Sequence, residues 1–199
     1  MLLGRADEFE RIDRLLASAR AGQCGALLVV GEPGIGKTAL LAAARERSES
    51  MRVLAARGVS SETEVAFAGL LELLRPLLGD LSGVPDRQAE ALSGALGIGP
   101  PVPGDRFLIG AATLSLLAAA AEPAPVLLIV DDAHWLDGES LDALLFAVRR
   151  FDADAVATLI ATRPEAPLLE SVTGIEVLEL PAWTRPARLS SPRAAWGGG

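Results

Sequence analysis

The feature that most constrains this chain is the octapeptide GEPGIGKT at residues 31–38, which matches the pattern G-x-x-x-x-G-K-[ST] completely. An apolar run at 26–30 precedes it and a helical pattern follows, so the motif lies between a strand and a helix. Glycines let the backbone wrap closely around an anion, and loop N–H groups with the helix N-terminus form a phosphate nest. The residues predicted to bind phosphate groups are Gly31, Gly34, Ile35, Gly36, Lys37 and Thr38.

Two side chains of this motif have separate predicted roles. Lys37 is the sole lysine among 18 basic residues, and its ammonium group is expected to contact the β- and γ-phosphates of a nucleotide. The Thr38 hydroxyl is expected to be a ligand of Mg²⁺. The sequence therefore predicts a P-loop nucleotide site.

Apolar runs alternate with amphipathic helical patterns along most of the chain, which predicts an α/β fold with a mainly parallel sheet. We expect a three-layer P-loop sandwich with five strands, in one domain over residues 1–180, and an irregular tail over 181–199. A capping-box spacing at Ser61 predicts that the third helix begins there and breaks near Pro76. Asp137 is the predicted N-cap of the sixth helix. The predicted strands are 26–30, 53–59, 126–130, 155–162 and 175–180. The predicted helices are 6–20, 38–48, 61–78, 86–96, 105–121 and a sixth helix after Asp137 whose apolar stripe runs over 141–148.

Two adjacent acids follow the third predicted strand. Asp131 closes the apolar run, in the Walker B arrangement, at the carboxyl edge of a parallel sheet where open α/β folds bind ligands. We expect Asp131 to hold Mg²⁺ through water, since this ion keeps much of its hydration shell. Asp132 is the candidate catalytic residue that orients or deprotonates an attacking water.

Between Lys37 and Asp131 the chain is far longer than one βαβ unit, so a further strand is expected between the two motif-bearing strands. The fourth strand is the candidate for that inserted position. Arg163 follows its last residue, which predicts a cation facing the γ-phosphate that can sense whether this group is present.

Other conspicuous residues have two interpretations each. His134 beside two carboxylates is a candidate for catalysis, although packing with Trp135 is favoured. Arg149 and Arg150 are either an arginine finger for a neighbouring subunit or, as we favour, a solvated helix end. Cys24, the single cysteine, is interpreted as a small core residue rather than a reactive thiol.

Composition excludes several function classes. The 199-residue chain carries a net charge of −8, which argues against binding to the phosphate backbone of DNA or RNA through bulk charge. One cysteine and one histidine disfavour an internal disulfide or a zinc site. The first residues lack a signal-peptide pattern, and no apolar run reaches the roughly 20 residues that span a bilayer. We expect a cytoplasmic protein with no membrane partner.

The motifs together resemble the nucleotide-binding domain of the STAND branch of AAA-type ATPases, and especially the large ATP-binding LuxR-type transcriptional regulators. The likeness covers about residues 2–180 and is carried by 31–38, by the Walker B extension VDDAHWLD at 130–137 and by the sensor-1 strand end ATRP at 161–164. Residues 67–70 and 103–107 are similar to the intervening helical region of those proteins. The segment LGRADE at 3–8 resembles their N-terminal "GR" segment, which implies that Gly4 and Arg5 border the adenine. The resemblance implies ATP and Mg²⁺ as ligands.

Members of that group continue into a helical lid, a winged helix, a helical-repeat sensor and a helix-turn-helix, none of which follows Pro181 here. We therefore expect a truncated or frameshifted product that does not bind DNA by itself, with self-association or docking to other regulator domains as possible contacts. The first functional hypothesis is a switch that binds Mg-ATP and hydrolyses it slowly. The alternatives are a small-molecule kinase, an interaction module without turnover, and an inert remnant.

Overall fold

The computed structural model describes residues 5–100, 105–172 and 174–181. Its centre is a five-stranded sheet in the order β2-β3-β4-β1-β5, and every strand pair in it is parallel. The predicted α/β fold with a five-stranded sheet is confirmed. The strands are β1 (Gly25–Val30), β2 (Arg52–Arg57), β3 (Val126–Asp131), β4 (Val156–Thr162) and β5 (Glu176–Glu179).

Helices cover both faces of the sheet, which gives the predicted three layers. Helices α1 and α2 pack on one face, and the larger group α3–α6 packs on the other. The α-helices are α1 (Ala6–Arg20), α2 (Lys37–Arg47), α3 (Ala68–Leu74), α4 (Asp86–Ala95), α5 (Arg106–Ala121), α6 (Gly138–Val148) and α7 (Leu168–Ser171), and 3-10 turns run over Arg75–Gly83 and Ala133–Trp135.

Two apolar cores result from the alternation of side chains along buried strands. On the α1–α2 face, Leu27 and Leu159 contact the helices, whereas Leu28 and Ile160 belong to the core under α3–α6. Within the described residues, none of the helices is both long and apolar enough to cross a bilayer.

Strand β4 lies between β1 and β3, as the spacing of the two motifs predicted. Val30 of β1 is in register with Thr162, and Val130 of β3 is in register with Ile160. Because all these strands are parallel, their carboxyl ends meet at one edge of the sheet. The loop after β1, the acids at the end of β3 and Arg163 are therefore neighbours.

The predicted start of the third helix is wrong. Residues 60–67 form turns and a bend, and α3 begins at Ala68 instead of near Ser61. A buried carboxylate from elsewhere in the chain, that of Asp137, accepts the backbone N–H groups of Phe67 and Gly69 at 2.8 and 3.1 Å. This tertiary contact sets the start of the helix and overrides the local capping pattern. The predicted break is confirmed, since α3 ends before Pro76.

Some predictions fall outside the described residues. They include residues 101–104, between the fourth and fifth predicted helices, and nearly all of the predicted tail at 181–199. The boundary near residue 180 therefore stays a prediction.

The N-cap prediction is confirmed, because the Asp137 side chain accepts the N–H of Ser140 at 2.9 Å.

We predict that Asp137→Ala destabilises the domain by about 2–4 kcal/mol, because it leaves three backbone N–H groups without their acceptor. Asp105→Ala is the matched control. Asp105 is also a helix N-cap, but it is exposed and accepts from Phe107 and Leu108 only, so its loss is expected to cost about 1 kcal/mol. Urea unfolding of both variants measures the difference, and equal losses would contradict the role given to Asp137.

Candidate nucleotide-binding site

The loop between β1 and α2 has the backbone that its glycines predict. Gly34 and Gly36 adopt φ angles of +77° and +105°, in the left-handed region that other residues resist. Helix α2 begins directly after Gly36. Within the described part of the chain, the backbone N–H groups of Gly36, Lys37 and Thr38 donate no hydrogen bond. Unpaired donors at a helix N-terminus are the groups that bind an anion.

The ammonium group of Lys37 lies inside this loop. Lys37 is only 7% exposed, and Nζ donates to the carbonyl oxygens of Gly31 at 2.6 Å and Glu32 at 3.0 Å. Burial lowers the pKa of Lys37, while the nearby carboxylates of Asp132 and Asp131 act in the opposite direction. The ammonium group and the neighbouring free N–H groups together can bind the phosphate groups of a nucleotide.

The two predicted magnesium ligands are in direct contact. The Thr38 hydroxyl donates to Oδ2 of Asp131 at 2.7 Å, and the other carboxylate oxygen accepts the N–H of Asp132 at 2.9 Å. Asp131 is 8% exposed, whereas Thr38 is open to solvent. One hydroxyl and one carboxylate, both oxygen donors beside the phosphate loop, fit Mg²⁺, which binds few protein ligands and keeps several waters.

Asp132 lies next to this pair but has a partner that the sequence analysis missed. Its carboxylate Oδ2 accepts from Nη2 of Arg57 at 3.0 Å and from Nε at 3.2 Å. The hydrogen bond to Asp132 and its charge raise the pKa of Arg57. Arg57 is the last residue of β2 and is in register with Asp131 of β3. Only the strand order brings it here, and no local motif marks it.

Arg163 follows β4 at the same edge, as predicted. Its Cζ lies 5.6 Å from the centre of the Trp135 ring. Its charge also reaches Lys37, whose pKa is lowered first by burial and further by Arg163. The preceding Thr162, whose side chain is fully buried, has a hydroxyl with no hydrogen-bond partner among the described residues. The sequence analysis did not single out this hydroxyl.

His134 packs beside Trp135, with ring centres 5.1 Å apart. Both ring nitrogens are buried and have no hydrogen-bond partner within the described ranges. Burial, followed by the charge of Arg163, lowers the pKa of His134. These contacts favour the packing interpretation over a catalytic one.

Arg5 connects helix α1 to the phosphate loop. Its Nη2 donates to the carbonyl oxygen of Ile35 at 2.9 Å, and its Nη1 pairs with Glu8 at 3.1 Å. The structure therefore places Arg5 against the predicted nucleotide site. Gly4, predicted with it, lies outside the described residues.

The remaining candidates lie elsewhere. The Sγ of Cys24 donates to the Asp152 carbonyl at 3.2 Å, and burial raises the pKa of its thiol, which disfavours the reactive thiolate. Cys24 precedes β1, so it borders a cavity of about 490 Å³ at the opposite edge of the sheet from Lys37. Arg150 stacks on the Phe146 ring at 3.6 Å. Neither Cys24 nor Arg150 belongs to the site.

Comparison with known proteins agrees with this geometry. The family model described as "AAA ATPase domain" matches residues 1–160, and the chain belongs to this family. An uncharacterized protein of Rhizobium meliloti strain 1021 is 28% identical over 207 aligned positions, which cover 82% of this chain. The chain spans about 18% of the length of that relative.

The lowered pKa of His134 predicts a pH-dependent stability. Because the folded-state pKa is below the ordinary 6.5, the unfolded state binds the proton first as the pH falls. The contribution of His134 to stability is therefore complete above about pH 6.5 and is lost as the pH drops towards the folded-state pKa. His134 is the single histidine of the chain, so His134→Gln removes its only imidazole.

We expect the wild-type protein to lose more stability than His134→Gln between about pH 7 and pH 5.5. Urea unfolding without nucleotide or Mg²⁺ at both pH values measures this difference. Parallel losses in the two proteins would contradict a buried neutral imidazole.

Proposed function

We propose that this domain binds Mg-ATP and hydrolyses it slowly, and that nucleotide exchange and hydrolysis make it a switch. The observation that carries the proposal is the contact of Thr38 with Asp131 beside the buried ammonium group of Lys37. Lys37 and Thr38 begin α2 and Asp131 ends β3, and together they supply a cation, a hydroxyl and a carboxylate at one point. Membership in the AAA ATPase domain family supports a nucleotide as the ligand.

The reaction is the attack of a water oxygen on the γ-phosphorus, with cleavage of the bond to the leaving ADP oxygen. Lys37 and the free N–H groups of the loop would hold the phosphates, and Mg²⁺ bound through Thr38 and Asp131 would neutralise their charge. Asp132 would orient the attacking water and accept its proton. Arg163 would respond to the charge of the γ-phosphate, and Arg5 would hold the loop and border the adenine.

The switch would serve a larger signal-transduction regulator of the LuxR type. The Walker B extension at 130–137 and the strand end at 161–164 support this assignment through their resemblance to those regulators. The relative from Rhizobium meliloti, of which this chain spans 18%, is also much longer. Other regulator domains or a second copy would be the partners, in the cytoplasm and without direct DNA contact by this domain.

We predict that Mg-ATP at about 100 times its Kd stabilises the domain by about 2.7 kcal/mol, and that Lys37→Ala removes this gain. Thermal melts with and without Mg-ATP and Mg-GTP measure it, and the GTP arm tests the choice of base. Arg47→Ala is the matched control. It removes a cation from the other end of α2, where Arg47 pairs with Asp13 at 3.3 Å, and should keep the gain.

A Lys37→Ala protein with the full ATP-induced gain would refute the proposed phosphate site. Release of phosphate from ATP then separates the remaining possibilities. Phosphate release without any acceptor supports hydrolysis over a kinase. Binding without release, even at high protein concentration, would instead assign the domain to non-catalytic interaction modules.

We predict that Thr38→Val abolishes the part of the ATP-induced stabilisation that depends on Mg²⁺. Valine keeps the shape of threonine but removes the hydroxyl that contacts Asp131. Thr63→Val is the matched control, because the Thr63 hydroxyl donates only to the Ser60 carbonyl at 2.7 Å. Melts in ATP with Mg²⁺ or with EDTA measure the effect. If Thr38→Val retained the magnesium-dependent part, Thr38 would not be a ligand.

A further inference from the structure

The outer side of α6 carries three side chains at intervals of four residues: Asp142, Phe146 and Arg150. Asp142 and Arg150 are exposed and Phe146 is half-buried, whereas residues 143–145 and 147 are buried. Residues four apart lie along one ridge of a helix, so these three form a single row, which we call the α6 stripe. The stripe is acidic at its start, aromatic in its middle and basic at its end, in the turn that follows the helix.

A second aromatic ring lies beside the middle of the α6 stripe. Phe107 of α5 meets Phe146 edge to face, with ring centres 5.5 Å apart. Phe107 is 64% exposed, the highest value among the large apolar side chains of the described residues. A Cβ at Gly110 of α5 would lie 2.6 Å from the Phe146 ring, so Phe146 packs directly on the backbone of α5. Two adjacent rings at the surface form an apolar patch rather than a scattered single side chain.

Arg150 is held in place but has no acidic partner among the described residues. Its Cζ lies 3.6 Å from the centre of the Phe146 ring, and its Nη1 donates to the Phe146 carbonyl at 3.1 Å. A guanidinium stacked on a ring keeps N–H groups in its plane that can bind a carboxylate. The cation at the end of the α6 stripe is therefore ready to bind an acid from another molecule.

Asp142 has the opposite charge and is also weakly engaged. Its nearest cation in the described ranges is Nη1 of Arg106 at 3.5 Å, and the two side chains are 65% and 74% exposed. Arg106 also pairs with Glu139, at 3.8 Å. Exposed ion pairs of this kind contribute little to stability, and here two acids share one cation. The start of the α6 stripe therefore keeps an excess of negative charge.

The order of charges makes the α6 stripe complementary to itself. Phe146 is four residues from Asp142 and four from Arg150, so a two-fold axis through Phe146 places the Asp142 of each copy opposite the Arg150 of the other. The aromatic rings of both copies then meet at the axis. Such an isologous contact closes after two copies. A parallel arrangement would instead place like charges opposite each other.

We propose that the α6 stripe and Phe107 form a homodimer interface, on which a second copy of this chain docks with its α6 antiparallel. Two Asp142–Arg150 ion pairs lie on either side of the aromatic centre. Aromatic residues and arginine are the types enriched at protein interfaces. The α6 stripe contains none of the residues assigned to the nucleotide site, so the proposal goes beyond the proposed function and does not depend on it.

Sedimentation equilibrium of the 199-residue chain without nucleotide, from about 1 µM to about 1 mM, tests the proposal. We expect the average mass to rise with concentration from the 20.6 kDa of one chain towards twice that value. Arg150→Glu and Asp142→Arg should each weaken association by at least about tenfold, because each places like charges opposite each other at two points. Phe107→Ser should also weaken it, because the apolar centre is lost.

Arg14→Glu is the matched control. Arg14 is an exposed cation of α1 that pairs with Glu10 at 3.1 Å, and it lies outside the α6 stripe. This variant should dimerise like the wild type. Thermal melts of all variants show whether they are folded.

Two restoration experiments identify the partner as a second copy in this orientation. An equimolar mixture of Arg150→Glu and Asp142→Arg should associate although each alone is largely monomeric, because every charge of one variant then faces an opposite charge of the other. The double variant Asp142→Arg with Arg150→Glu should dimerise again for the same reason.

Three results would overturn the proposal. A wild type that stays monomeric over the whole range leaves the α6 stripe to a different protein. A dimer that folded Arg150→Glu and Asp142→Arg variants form as tightly as the wild type uses another surface. Single variants that are monomeric and stay so in the mixture contradict the antiparallel pairing of Asp142 with Arg150.

Discussion

The position of β4 between β1 and β3 is the constraint on which the site depends. Strand β4 lies between β1, which leads into the phosphate loop, and β3, which ends in the two acids. All three strands end at the same edge of the sheet. At that spacing the hydroxyl of Thr38, at the start of α2, reaches the carboxylate of Asp131 at 2.7 Å. Without the inserted strand, Arg163 would not lie at this edge. Because the strands are parallel, residues that are far apart in the sequence bring their polar oxygen and nitrogen atoms together at this edge.

Charged groups of both signs lie near one another at this edge of the sheet. Lys37, which is buried, lies near both acids, and Arg57 pairs with Asp132 from the outer strand. Arg163 adds a third cation over the Trp135 ring. The charged groups are held by backbone and by each other, so they need little reorganisation when a charged ligand enters.

Most of the fold could be predicted because its signals are local. The bounds of α1, α4 and α5 differ by at most one residue from the sequence-based predictions, and the inserted strand followed from the spacing of two motifs. The start of α3 could not be predicted in this way. A capping pattern near Ser61 is a local preference, whereas the buried carboxylate of Asp137, from another part of the chain, accepts hydrogen bonds from the N–H groups of Phe67 and Gly69. A buried acceptor outweighs a solvated one, since unpaired N–H groups in the core are costly.

The sequence by itself determined the phosphate loop, since its glycine torsions and its lysine are properties of eight consecutive residues. It also determined which acid ends an apolar strand. Only the tertiary structure decided what those groups touch: Arg5 on the Ile35 carbonyl, and Arg57 on Asp132. Both contacts join segments that are far apart in the chain, and they depend on strand order and helix placement. Long-range register is set by the packing of the whole sheet, so no local pattern carries it.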